Sequence, residues 1–219
     1  MDDRILRHPL RVRVNHWLIA LSGIMLIFSG FGEMPMYKRY NVVKIPGLAW
    51  SEDFHIMLYI HYIAAIVFMA AVFFHIVYHL RRREFSLLPK RGDLKEGIHI
   101  IKAILTGGPE PQHDKYLAEQ RIAYAAFGVT ILGLIATGLI KVYKNLSGVY
   151  INPDILFWVT NLHTLLTMVF VFLLFAHLAA FLIKANRPLF PSMFTGTVRS
   201  DYALSRHGKW IQDMKVKTQ

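Results

Sequence analysis

The chain has 219 residues, 54 % of them apolar and only 18 % charged, with a formal charge of +11 and no cysteine. Its mean hydropathy is positive, +0.37, which excludes an ordinary soluble domain and points to an integral membrane protein. The missing cysteine excludes thiolate-held iron–sulfur clusters and c-type haem from this chain, so any such centre belongs to a partner.

Four apolar runs are long enough to cross a hydrocarbon core of roughly 30 Å, which takes about 20 helical residues. They cover residues 14–32, 54–80, 122–140 and 155–183. The expected fold is therefore all-α: an integral membrane four-helix bundle forming one domain over residues 1–219. The first run follows a basic arm like a signal peptide, but no small-residue cleavage site precedes "GEMPMYKRY", so it is expected to be retained. In the middle loop, "DLKEGIHIIKAIL" places Leu94, Ile98, Ile101 and Leu105 at helical spacing and predicts a helix lying along the membrane interface. "TGGPEPQ" then breaks it with Gly and Pro. The arm and the tail "SRHGKWIQDMK" are candidates for docking a partner or for lipid association.

Lys and Arg number four in the arm, three in the first loop, nine from Arg81 to Arg121, two in the third loop and seven after the fourth span. Four spans put the arm, middle loop and tail on one side, where 20 basic residues face 5. By the positive-inside rule that side is the cytoplasm, and both termini are expected there. The positive charge is then mostly a topology signal, and no nucleic-acid partner is needed to explain it.

Five of eleven histidines lie within the spans rather than outside them or at their ends, where His55 and His79 stand: His16 in the first, His61 and His75 in the second, His163 and His177 in the fourth. Polar groups at membrane depth are costly and are usually paired or functional. His163 and His177 are 14 residues apart, a rise of roughly 21 Å that stops roughly 40° short of four turns, so they share a face near opposite ends. His61 and His75 repeat this offset, and His16 lies at the inner edge of its span. The expected layout is two layers of imidazoles: His61 and His163 outside, His16, His75 and His177 inside. Such layers suit bis-histidine haem iron in a helix bundle; a metal or proton pathway, or hydrogen-bonded packing, are the other readings. Tetrahedral zinc is disfavoured, since no cysteine or carboxylate stands near these histidines in the spans. The span glycines, Gly23, Gly30, Gly128, Gly133 and Gly138, admit either a porphyrin or close helix packing.

Nearly the whole chain resembles a known family. "RVNHW", "YIHYIAAIVF", "KYLAEQRIAYAAFGVTILGLIATGLI", "LHTLLTMVFVFLLFAH" and "KANRPLFPSMFTGTVRSDYALSRHGKW" look like the four helices and tail of the cytochrome b (gamma) subunit of membrane-bound respiratory formate dehydrogenase. That subunit sits within the four-helix di-haem cytochromes b that also serve nickel–iron hydrogenases and thiosulfate reductases. The resemblance implies two b haems, with His61 and His163 holding the outer one and His16 and His177 the inner one. His75 departs from the pattern and is the alternative inner ligand, as in the cytochrome b of bc complexes. Lys115, Tyr116 and Gln120 match the family's quinone segment, whereas Leu117 and Glu119 stand where an asparagine and a small residue are expected.

The function so implied is electron transfer in a bacterial or archaeal inner membrane. Electrons would pass from an iron–sulfur subunit, served by a catalytic molybdenum or tungsten subunit, to menaquinone or ubiquinone on the cytoplasmic side. A hydrogenase or a thiosulfate or polysulfide reductase, with flow reversed, is the alternative within the redox class. A haem-free anchor or a proton or metal carrier is the alternative outside it.

Overall fold

A computed structural model describes residues 3–106, 108 and 113–217. They form two compact units, Pro9–Arg83 and Met1–His8 with Glu84–Gln219. Among the described residues four helices are long and apolar enough to cross a membrane, Leu10–Gly32, Phe54–Arg82, Ala118–Tyr143 and Pro153–Leu182. The protein is an all-α membrane protein, as expected. The fourth tightens into a 3-10 turn over Ala180–Leu182.

In the first unit α1 (Leu10–Gly32) and α3 (Phe54–Arg82) pack antiparallel, with Ser29 beside His61 and Gly32 against Met57. In lipid there is no hydrophobic drive between apolar helices, so contact depends on close packing through small residues. The α1 residues Ser22, Gly23 and Ser29 and the α3 residues Ala64 and Ala71 are accordingly buried. The short α2 (Pro35–Arg39) lies in the connection. There Tyr37 is buried, its hydroxyl 2.8 Å from Ser51 Oγ, and its ring is flanked edge-on by Phe28 and Phe31. Asp53 caps α3 by accepting from the His55 and Ile56 N–H groups at 2.8 and 3.2 Å, satisfying two otherwise orphaned donors.

In the second unit α5 (Ala118–Tyr143) and α6 (Pro153–Ala179) form another antiparallel pair. Phe127 meets Phe170, Gly133 lies under Leu166, and Thr137 reaches His163. Asn152 caps α6, accepting from the Asp154 N–H at 2.8 Å.

α4 (Asp93–Thr106) packs on the start of α5, where Ile100, Leu117 and Ala118 are fully buried together. Gly97 lies at this contact, where a Cβ would stand at an ordinary 3.6 Å from the Glu119 nitrogen. Leu94 and Ile98, the start of the predicted apolar stripe, are 72 % and 65 % exposed. These two side chains therefore face away from the contact with α5, and Ile101 and Leu105, the rest of that stripe, have side chains outside the described ones. Of the Gly- and Pro-rich break after α4, residues 107 and 109–112 lie outside the described residues.

The arm and tail are structured against each other. β1 (Arg4–Leu6) pairs antiparallel with β2 (Thr197–Arg199), placing Ile5 opposite Val198. Between α6 and β2, α7 (Ser192–Thr195) ends at Gly196, whose left-handed φ of 84° turns its carbonyl to accept the Arg7 and His8 N–H groups at 2.8 and 3.0 Å. α8 (Ser200–Arg206) and α9 (Gly208–Lys217) follow. Leu189, Val198, Ala203, Trp210 and Ile211 form a small core that Ile5 and Phe181 join.

Candidate functional site

His61 and His163 have closely matched surroundings. On α3, His61 Nδ1 lies 3.0 Å from Ser29 Oγ of α1. On α6, His163 Nδ1 lies 2.8 Å from Thr137 Oγ1 of α5. Each hydroxyl is followed by a glycine, and a Cβ built on Gly30 would stand 3.3 Å from His61 Cε1, one on Gly138 3.5 Å from His163 Cε1. The rings are thus held at Nδ1, beside glycine backbone, so a haem iron would be met by the other ring nitrogen, Nε2. A ligating histidine characteristically donates its second ring N–H to a fixed acceptor. These two histidines fit haem iron by that test.

His16, His75 and His177 sit beside other rings. His177 stands edge-on to Phe127 and Phe181, 6.1 Å from each. His16 is edge-on to Trp17 at 5.7 Å. His75 faces His79, one turn along α3, at 4.5 Å between ring centres. Among the described residues no three His, Asp or Glu side chains gather as a metal-binding group. Of the span glycines, Gly133 serves helix packing, for a Cβ there would meet Leu166 Cδ1 at 2.7 Å, whereas one on Gly128 would meet nothing within 4 Å.

The segment "HDKYLAEQR" is pinned from several sides. Arg121 grips Asp93, with Nε to Oδ2 at 2.8 Å and Nη2 to Oδ1 at 2.6 Å, and its Nη1 donates to the Tyr116 carbonyl at 2.6 Å. The Arg7 guanidinium donates to the Lys115 carbonyl and lies over the rings of Tyr116 and Trp210, at 5.6 and 5.3 Å. His207 Nδ1 donates to the Asp114 carbonyl at 2.7 Å. Lys115 Nζ lies 5.5 and 5.9 Å from the Tyr116 and Trp210 ring centres.

Burial shapes the electrostatics of this segment. It lowers the pKa of the Lys115 ammonium and pushes the Tyr116 phenol up to about 12, so Tyr116 stays protonated. Both side chains are hydrogen-bond donors at neutral pH. Gln120 acts locally, its Oε1 accepting the Leu117 N–H at 3.2 Å and so capping α5.

Ser29 and Thr137 were not among the residues singled out in the sequence. The available signal was a Ser-Gly dipeptide in the first span and a Thr-Gly in the third, and Ser22-Gly23 offers a second Ser-Gly in that first span.

Comparison with known proteins agrees with this picture. The family model for prokaryotic cytochrome b561 matches residues 7–196. The chain is also similar to the formate dehydrogenase cytochrome b556 subunit of Haemophilus influenzae (strain Rd), 22 % identical over 220 residues, covering 97 % of this chain and 84 % of that protein.

Proposed function

This chain belongs to the prokaryotic cytochrome b561 family and is a haem b membrane electron-transfer subunit; from that premise we propose that it is the di-haem, quinone-reducing anchor of a respiratory dehydrogenase, formate dehydrogenase above others. The observation that carries the ligand assignment is the matched hydrogen bonding of Nδ1 to a neighbouring hydroxyl oxygen at His61 and His163. His61 and His163 are read as holding the outer haem. His16 and His177 are read as holding the inner one, and the contact of His75 with His79 on its own helix supports leaving His75 as the alternative. Two b haems so held supply one-electron transfer across the membrane, from the iron–sulfur subunit of a molybdenum or tungsten enzyme to menaquinone or ubiquinone on the cytoplasmic side.

The chain's own residues bind, orient and exclude water. The apolar helices keep the ligands in a medium of low dielectric, where fixed dipoles act strongly. Lys115 and Tyr116, desolvated donors on a pinned segment, are placed to hold a quinone oxygen, and Gln120 contributes by fixing the first turn of α5. The basic arm, middle loop and tail set the cytoplasmic orientation of both termini.

The test is a reduced-minus-oxidised spectrum of the detergent-solubilised protein, with haem extracted and counted per chain. Two b-type haems in the wild type and one in His163→Ala are expected. A well-folded, haem-supplied preparation with no haem overturns the proposal.

A further inference from the structure

His61 and His163 are held by the same two-residue device on two different helix pairs. The first helix of each pair supplies a hydroxyl and then a glycine, Ser29-Gly30 on α1 and Thr137-Gly138 on α5. The hydroxyl proton already has its place. Ser29 Oγ lies 2.8 Å from the Met25 carbonyl oxygen and Thr137 Oγ1 lies 2.7 Å from that of Gly133, each four residues back on its own helix. This is the usual back-bond of a helical Ser or Thr. A hydroxyl has one proton, so the oxygen offers the neighbouring ring only its lone pairs. Nδ1 must therefore carry the proton and donate. In a neutral imidazole protonated at Nδ1, the lone pair is on Nε2, and which nitrogen ligates is set by the bond the other makes.

We propose that Ser29 and Thr137 are positioning residues for the outer haem, each fixing the Nδ1–H tautomer and ring direction of its histidine and together lowering that haem's reduction potential. The inference rests on the reading of His61 and His163 as the two ligands of one haem. In each relay the carbonyl accepts from the hydroxyl and the hydroxyl accepts from the ring, so the bonds polarise one another. Such a second-sphere bond raises the basicity of the ligand. A more basic axial ligand favours ferric over ferrous iron and lowers the potential.

The test compares the wild type with Ser29→Ala, Thr137→Val, their double variant and the hydroxyl-keeping Ser29→Thr and Thr137→Ser. Haem is counted per chain, and both midpoint potentials are titrated on the haem absorption bands. Loss of a hydroxyl is expected to weaken ferric relative to ferrous binding by up to about tenfold, an upward shift of up to about 59 mV for one electron. Ser29→Ala and Thr137→Val should shift the same one of the two potentials, with additive effects in the double variant, while the hydroxyl-keeping variants stay at the wild-type value. Haem lost in Thr137→Val but kept in Thr137→Ser also supports the inference. Haem retained with both potentials unchanged overturns it, as does haem lost equally from both Thr137 variants, because side-chain shape would then be what matters. A wild type without haem fails the di-haem reading itself, and that is visible before any variant is made.

Discussion

Arg121 and Asp93 form a two-pronged ion pair across α4 and α5, with N–O distances of 2.6 and 2.8 Å and each residue only 3 % exposed. The guanidinium holds the Asp93 carboxyl below the usual carboxylate range. Removing one partner of a buried pair strands the other charge, a loss of about 3–5 kcal/mol. The two losses should differ here. Arg121→Met leaves Asp93 with the Lys90 N–H, whereas Asp93→Asn leaves Arg121 with the Tyr116 carbonyl and with Glu96 and Asp114 at 3.8 and 3.9 Å. Thermal unfolding in detergent should therefore rank Arg121→Met as the more damaging change. The reverse order would show that the carboxylate is the better supported of the two.

A second prediction concerns the glycines beside His61 and His163. A Cβ on Gly30 would sit 3.3 Å from His61 Cε1, tight enough to push the ring, while one on Gly138 meets His163 at an ordinary 3.5 Å. Gly30→Ala should disturb the haem spectrum or lower haem content, and Gly138→Ala should leave both near wild type. Equal behaviour of the two variants would mean that the ring of His61 yields without cost.

Arg7 ties the arm to the loop before α5 through the Lys115 carbonyl and the faces of Tyr116 and Trp210. Lysine cannot reproduce a planar fork stacked on two rings, and desolvated cation–π contacts are worth on the order of 2 kcal/mol. Arg7→Lys should speed proteolytic cleavage of the arm and lower the unfolding temperature. Cleavage at the wild-type rate would assign the docking of the arm to β1 and β2 alone.

Acid should weaken the second unit in two steps. His207 is buried near Arg7, Arg206 and His113, and its pKa falls to about 4, while an unfolded histidine titrates near 6.5. The unfolded chain therefore binds the proton more readily, and stability is lost as pH falls from about 6.5 towards 4. Asp93 acts lower, since its depressed pKa contributes stability that is present above about 4 and lost as pH falls through the folded value. His207→Asn keeps a donor for the Asp114 carbonyl without the titration. Unfolding temperatures between pH 7 and 4 should then lose their first decline; an unchanged profile would assign that decline to another group.

The spans were legible because lipid demands a long apolar run, and the five intramembrane histidines stood out because no Asp, Glu, Lys or Arg shares those runs. Ser29 and Thr137 did not, since hydroxyls are ordinary in membrane helices and their second partner lies on another helix, at no fixed sequence offset. Gln120 matches a quinone motif in sequence, yet its side chain closes the first turn of α5. The helical spacing of Leu94, Ile98, Ile101 and Leu105 predicted α4, but only the structure shows that Leu94 and Ile98 point outward while Ile100 packs inward. The strands Arg4–Leu6 and Thr197–Arg199 are three residues each, too short to carry a pattern.

That strand pair also imposes an order of events during synthesis. Arg4 lies opposite Arg199, so the arm, once made, waits for a partner that is translated only after all four spans. At about 5–20 residues per second the wait is on the order of ten seconds or more. Throughout it the apolar helices can enter the bilayer and pair locally, while the arm stays uncommitted. Joining arm to tail is then a late step in maturation, marking a chain whose fourth span has already been threaded.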